Sequence, residues 1–181
     1  MITTNNSRVY KKLKLLRNHG QTKRYYHTDL GYNYRMTDIT AAFGLVQLKK
    51  LKSIMIKKNN LANKYKYYFL NHPYINIAFE PNYIFEHSWY NFTITVKSKK
   101  FREYLRKNLD KLGIETRVSF RTLSKQPFIK ANSKINCRNL KKSELAVDRL
   151  LNIPIYASMS FNDQRYVFES IDKLSCEYYS S

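Results

Sequence analysis

Apolar positions in this chain recur at two different spacings, and the change falls at Pro73. Upstream, Ile39, Ala42, Phe43, Val46, Leu51, Ile54, Leu61, Ala62, Tyr65 and Phe69 keep a helical spacing that no proline interrupts. They predict one long or slightly broken helix of about thirty residues, joining two structural units. Thr37 or Asp38 starts it, since either side chain accepts from the free N–H groups of a first turn. Ala41, Ala42 and Gly44 keep one side of that helix thin. Gly44 costs about 1 kcal/mol against alanine in a helix interior, so its presence points to close approach of another backbone. Before this helix, residues 1–5 read as the tail of a strand leaving a core. Tyr10–Asn18 reads as a short helix with Leu13, Leu15 and Leu16 inward, ended by Gly20. Residues 21–30 are polar and read as an irregular loop.

Beyond Pro73 the texture is that of a small α+β domain. Tyr74–Phe79 and Tyr90–Val96 carry strand formers. Phe101, Tyr104, Leu105, Leu109 and Leu112 share one face of a helix over Phe101–Leu112, stopped by Gly113. A strand over Ile114–Phe120, a loop holding Gln126-Pro127-Phe128, a helix over Ser143–Leu151, an extended Leu151–Tyr156 and a closing helix over Asn162–Leu174 complete the order. The division expected is therefore 1–72, ending with the long helix, and 73–181.

Composition limits what this architecture does. Of 181 residues, 43% are hydrophobic and 26 are Tyr or Phe, enough for a sizeable core. No apolar run approaches the ~18 residues of a membrane span, and the polar N-terminus lacks a signal-peptide pattern. A cytoplasmic protein with no membrane partner is expected. Cys137 and Cys176 stand far apart, without a Cys-x-x-Cys pair, and fit reduced thiols. His19, His27, His72 and His87 show no metal-ligand spacing, so no metal site is expected. The 33 basic against 13 acidic residues give a net charge of +20, which favours anionic partners. The lysines are scattered, Lys, Asn, Ile and Tyr are abundant together, and no nucleic-acid-binding module is recognisable. A basic nucleic-acid-binding module is kept as an alternative rather than the expected role.

The chemistry-bearing stretch is Gly31–Leu51, GYNYRMTDITAAFGLVQLKKL. Gly31 permits a bend, Asn33 offers an amide, and Arg35 presents a planar fork suited to carboxylates or phosphates. They precede a helix N-terminus, where anions are favoured. The alternative on residues alone is a helix-capping loop in which Arg35 pairs with Asp38. Tyr34 is expected to pack rather than to stack on a ligand. The run Gly31, Asn33, Arg35, Met36, Asp38, Ile39, Ala41, Ala42, Gly44, Gln47, Leu48 resembles a signature of the pyridoxal-phosphate-dependent nucleotide-sugar aminotransferases of the DegT/DnrJ/EryC1/StrS type. Leu16-Arg17-Asn18-His19-Gly20, Gly113-Ile114-Glu115-Thr116-Arg117, Gln126-Pro127-Phe128 and Ile153-Pro154-Ile155-Tyr156 resemble further phrases of that family. The "I-E-T-R" phrase leans toward perosamine-synthetase-like members.

The resemblance implies an incomplete fold-type-I α/β aminotransferase: the end of the large domain, a connecting helix and the α+β C-terminal small domain. It implies pyridoxal 5'-phosphate as cofactor, with Asn33 reaching the cofactor phosphate of a neighbouring subunit. Arg35, Arg117 and Arg121 are implied as ligands of a nucleotide-sugar substrate; for Arg117 and Arg121 the alternative is solvated charge at a strand end. His19 is implied to be structural. Ser119 and Ser124 stand where many relatives place histidines, and serine does not titrate near neutrality. Such chemistry needs a lysine to hold the cofactor. The resemblance implies that this lysine lies upstream of the matched segment, so no catalytic residue is assigned. The expected partners are a second copy of the chain in a homodimer, or an upstream large-domain polypeptide. The expected reaction is amino transfer, from glutamate, to a nucleotide-linked keto sugar. A non-catalytic remnant of a disrupted gene is the further alternative.

Overall fold

The computed structural model describes residues 2–78, 87–131 and 140–180. They fall into two compact units, Met1–Leu51 and Lys52–Ser181.

The first unit opens with helix α1, Ser7–Arg17. The Asn6 side chain accepts from the N–H groups of Arg8 and Val9 at 2.9 and 3.2 Å, which starts the helix three residues earlier than apolar spacing suggested. Residues 2–5 form no strand; an extended segment becomes one only where a partner pairs with it. Leu13, Leu15 and Leu16 are half-buried. The stretch expected to be an irregular loop is a small hairpin, β1 (Gln21–Lys23) against β2 (Tyr26–His27). Tyr25 turns it at φ 62°. His19, at φ 55°, closes α1 as the expected structural element of a helix end. The long helix α2 runs Asp38–Phe69, with Thr37 accepting from Thr40 N–H at 3.3 Å.

The two units divide within α2, at Leu51/Lys52, rather than at its end. The helix explains why. Leu61, Ala62, Tyr65 and Phe69 are buried and belong to the second unit's core. Ile39, Phe43, Val46 and Leu51 are exposed, and among the described residues nothing lies within 4 Å of a Cβ built on Gly44.

In the second unit four antiparallel strands take the order β3-β4-β6-β5: Ile75–Ile77, Phe92–Val96, Leu150–Ile153 and Arg117–Val118. Ile75, Phe92, Ile94, Val96, Leu151 and Ile153 alternate onto one face and are buried. Helix α3 (Lys99–Lys111) contributes Phe101, Leu105 and Leu109 to the same core. Helix α6 (Phe161–Ser180) contributes Val167, Ile171 and Leu174. Two buried polar side chains pin α2 into this core. Tyr65 Oη donates to Pro154 O at 3.0 Å, and Gln164 Nε2 donates to Leu61 O at 2.7 Å.

Three expectations are corrected here. The strand over Ile114–Phe120 shrinks to Arg117–Val118: Ile114 turns inward and closes α3, its N–H on Leu109 O at 2.9 Å after Gly113 at φ 74°. The Gln126-Pro127-Phe128 segment is helical, a 3-10 turn at Leu123–Lys125 followed by α4, Pro127–Ala131, with the proline in the first turn where its missing N–H costs nothing. Helix α6 runs on to Ser180 instead of stopping at Leu174. Helix α5 spans Lys141–Arg149. Phe79 and Cys137 lie outside the described residues; the Cys176 thiol is exposed.

Candidate functional site

Asn33 and Arg35 are brought together by the way α1 hands over to α2. Asn18 caps α1, its N–H on Leu15 O at 3.1 Å. His19 and Gly20 then turn the chain. The segment returning from the hairpin lies back along the end of α1: His19 N–H donates to Tyr32 O, Tyr32 N–H to Leu16 O, and Tyr34 N–H to Arg17 O, at 2.7–3.0 Å. Asn18 and Asn33 thereby stand directly opposite each other as an antiparallel pair. Paired residues share a face, and so do residues two apart on an extended segment. Asn18, Asn33 and Arg35 therefore occupy one face. Tyr32 and Tyr34 occupy the other, stacked with ring centroids 5.2 Å apart. Tyr34 packs on Tyr32 as expected, yet remains exposed.

Arg35 does not pair with Asp38. Its Nε donates to Asn18 Oδ1 at 2.6 Å, and no ion pair involves it among the described residues. Arg35 is exposed, and only its Nε bond to Asn18 is made among the described residues. The amide of Asn33 is exposed beside it. An amide and an uncompensated guanidinium on one face are donors suited to the oxygens of a phosphate. They fit the phosphate end of a cofactor or of a nucleotide. Among the described residues no group of three His, Cys, Asp or Glu side chains is arranged to hold a metal ion.

The arginines of the second unit are placed differently. Arg117, on β5, is tied to Glu115, with Nε and Nη2 each 3.1 Å from the carboxylate oxygen Oε1. It lines a cavity of about 480 Å³ with Tyr90, Asn152, Tyr156 and Tyr166. Arg121 is exposed. Ser124 donates to Glu144 Oε1 at 3.1 Å, a carboxylate that Lys125 also faces at 3.6 Å. Ser119 is partly buried. So the structure gathers Asn33 and Arg35, and separately places Arg117 at a cavity with its charge matched.

Sequence reasoning missed Asn18 and the hairpin. Asn18 occupies the open position of Leu-Arg-x-His-Gly, and nothing in apolar spacing singles it out. The hairpin had a signal in Tyr25-Tyr26 set among Thr22, Lys23 and Arg24, but its strands are too short for alternation to show.

The profile of the DegT/DnrJ/EryC1/StrS aminotransferase family matches residues 1–172. The chain is 31% identical over 185 residues to GDP-perosamine synthase of Escherichia coli O157:H7, covering 99% of this chain and 47% of that protein. It spans about half the length of the curated relatives it matches. Its fold superimposes on PseC of Helicobacter pylori, an aminotransferase involved in the biosynthesis of pseudoaminic acid, with a TM-score of 0.83, 25% identity, and 94% of this chain and 47% of that one covered. A putative sugar aminotransferase of Streptococcus pneumoniae in its PLP form gives a TM-score of 0.83 at 24% identity, over 96% of this chain and 45% of that one.

Proposed function

The chain belongs to the DegT/DnrJ/EryC1/StrS aminotransferase family, and from that premise we propose that it supplies the Asn33–Arg35 side of a pyridoxal-phosphate-dependent site that aminates a nucleotide-linked keto sugar. The observation that carries this reading is the shared face of Asn33 and Arg35, held by the Asn18–Asn33 pairing, with the guanidinium charge uncompensated. Both residues are exposed, as a contribution to a neighbour's phosphate requires. The cofactor, when bound, supplies the electron sink that lets an amino group be exchanged.

The residues of this chain bind and orient. Asn33 donates its amide N–H to a phosphate oxygen. Arg35 neutralises phosphate charge through its Nη groups, with glutamate as amino donor in the reaction served. Arg117 and Arg121 supply charge toward the substrate diphosphate, Arg117 only after exchanging Glu115 for it. The lysine that anchors the cofactor comes from the family's large domain. The assembled site is a homodimer's, or a pair of this chain with a large-domain polypeptide, working in the cytoplasm.

The test is reconstitution. The chain is co-expressed with a large-domain polypeptide of a perosamine-synthase-like relative, and cofactor retention is followed by absorbance through gel filtration. Wild-type chain should retain pyridoxal phosphate, and Asn33→Ala should lose affinity by about 1.5–3 kcal/mol, the worth of a hydrogen bond to a charged group. Equal retention by Asn33→Ala, or robust transamination by the chain alone, would contradict the proposal.

A further inference from the structure

Among the described residues Arg35, Arg106 and Arg117 each donate Nε to a side-chain acceptor, and the acceptors differ in charge. At Arg117 the acceptor is the Glu115 carboxylate, which takes Nε and Nη2 together and cancels the charge. At Arg35 it is the neutral Asn18 amide, which takes Nε alone at 2.6 Å. A carboxylate in the second place would hold the guanidinium as firmly, while engaging a second N–H and matching its charge. An amide oxygen fixes the plane of the fork and leaves the charge for something else.

We propose that Asn18 is a positioning residue for anion recognition: it orients the Arg35 guanidinium through Nε and, being neutral, leaves the positive charge and both Nη groups to an incoming phosphate. The inference rests on the reading of Arg35 as a phosphate ligand. It goes beyond that reading in assigning a role to a residue that touches neither cofactor nor substrate. Geometry gives Asn18 the leverage. It sits opposite Asn33 in the antiparallel pair, and its own backbone is fixed at both ends, N–H on Leu15 O and C=O receiving Gln21 N–H at 3.0 Å. A flexible arginine loses much of its rotamer entropy when it binds an anion. An acceptor that orders the side chain beforehand removes part of that cost.

Substitutions separate position from charge. Asn18→Ala removes the acceptor and frees the side chain. Asn18→Asp keeps an acceptor at the same place, and with it the geometry, but neutralises Arg35. The chain, isotopically labelled in arginine and asparagine, reports both through the Arg35 Nε–H and Nη signals in NMR, titrated with inorganic pyrophosphate as probe. The Nε–H signal should be protected from water exchange in wild type, protected in Asn18→Asp, and exchange-broadened in Asn18→Ala. Pyrophosphate affinity, read at Arg35 itself, should fall by about two- to fivefold in both variants, the range of one exposed charge or ordering contact. Arg35→Gln, read at the Asn33 amide signals, should abolish most of the response.

A merely structural Asn18 predicts the opposite pattern, with Asn18→Asp as good a pyrophosphate binder as wild type; that result overturns the inference. So does an unprotected Nε–H in wild type, or an Arg35 signal indifferent to pyrophosphate. If Arg35→Gln leaves the Asn33 response unchanged, the phosphate reading of Arg35 itself fails. If Arg35→Gln loses the response while both Asn18 variants keep wild-type affinity, only the role given to Asn18 fails.

Discussion

A side chain on Gly31 would place its Cβ 1.8 Å from the backbone nitrogen of Gly20. The converse is as tight, since a Cβ on Gly20 would fall 1.8 Å from the carbonyl oxygen of Asp29. Gly20 also holds φ 66°. This back-to-back contact lets the returning segment lie against the end of α1, and hence puts Asn33 opposite Asn18. The nearest atoms are backbone, so neither substitution is relieved by moving a side chain.

Gly31→Ala should therefore open the loop between residues 18 and 33 while leaving the second unit folded. The expected result is loss of hydrogen-exchange protection at the His19, Tyr32 and Tyr34 amides, which now donate across the junction. Amides of β4 and β6 should keep their protection. Unchanged protection at Tyr32 would show that the close approach is not structural.

The second unit carries a pH dependence at one buried histidine. His72 sits edge-on to Phe69 and Tyr74, accepts at Nδ1 from Tyr74 N–H at 3.2 Å, and turns Nε2 toward Asp172 at 3.3 Å. Burial pushes its pKa below the ordinary imidazole value, and the Asp172 carboxylate only partly restores it. The unfolded chain then binds this proton at higher pH than the folded one. Stability is unaffected well above about pH 6.5 and falls as pH drops through that value toward the folded pKa. His72→Asn should flatten the dependence of the urea midpoint between about pH 7 and 5. Asp172→Asn should deepen it, by removing the group that favours the charged ring. Equal slopes in all three proteins would refute the assignment.

Much of this architecture is legible in the sequence, because burial imposes spacing. Ile94 and Leu151 lie on inward strand positions, and Phe101, Leu105 and Leu109 mark the inner stripe of α3. The signature run likewise pointed to Asn33 and Arg35. The misses share a physical cause, in that they depend on contacts made at a distance. The Ile114–Phe120 segment has strand composition, but only Arg117 and Val118 find partners on β6. Asn18 became visible only when the chain folded back to bring Arg35 against it.

The charge of +20 makes a separate prediction. If it reflects scattered lysines rather than a recognition surface, nucleic acid should bind weakly, without sequence preference, and release steeply with salt. Filter binding to random and defined duplexes between 50 and about 200 mM salt tests it. Sequence-selective binding that survives the higher salt would favour the nucleic-acid-binding alternative over the aminotransferase reading.

The exposed stretch of α2 gives the last prediction. Ile39 is 85% and Phe43 67% accessible, Leu45 and Leu48 are similarly open, and a side chain added at Gly44 meets nothing within 4 Å. Apolar area of this kind drives association. The isolated chain should self-associate in a concentration-dependent way, and Ile39→Lys with Phe43→Lys should return it toward a monomer in sedimentation velocity. Gly44→Ala discriminates between a face that stays open and one that is covered in the working protein. In the chain alone it should stabilise α2 by up to about 1 kcal/mol, since alanine loses less backbone entropy and has room. In a reconstituted aminotransferase the same methyl should weaken assembly, because the thin side of α2 then faces another backbone. Stabilisation in both states would mean that Gly44 is not at a packed interface. A cooperatively unfolding monomer of the unmodified chain at high concentration would rule out the sticky face altogether.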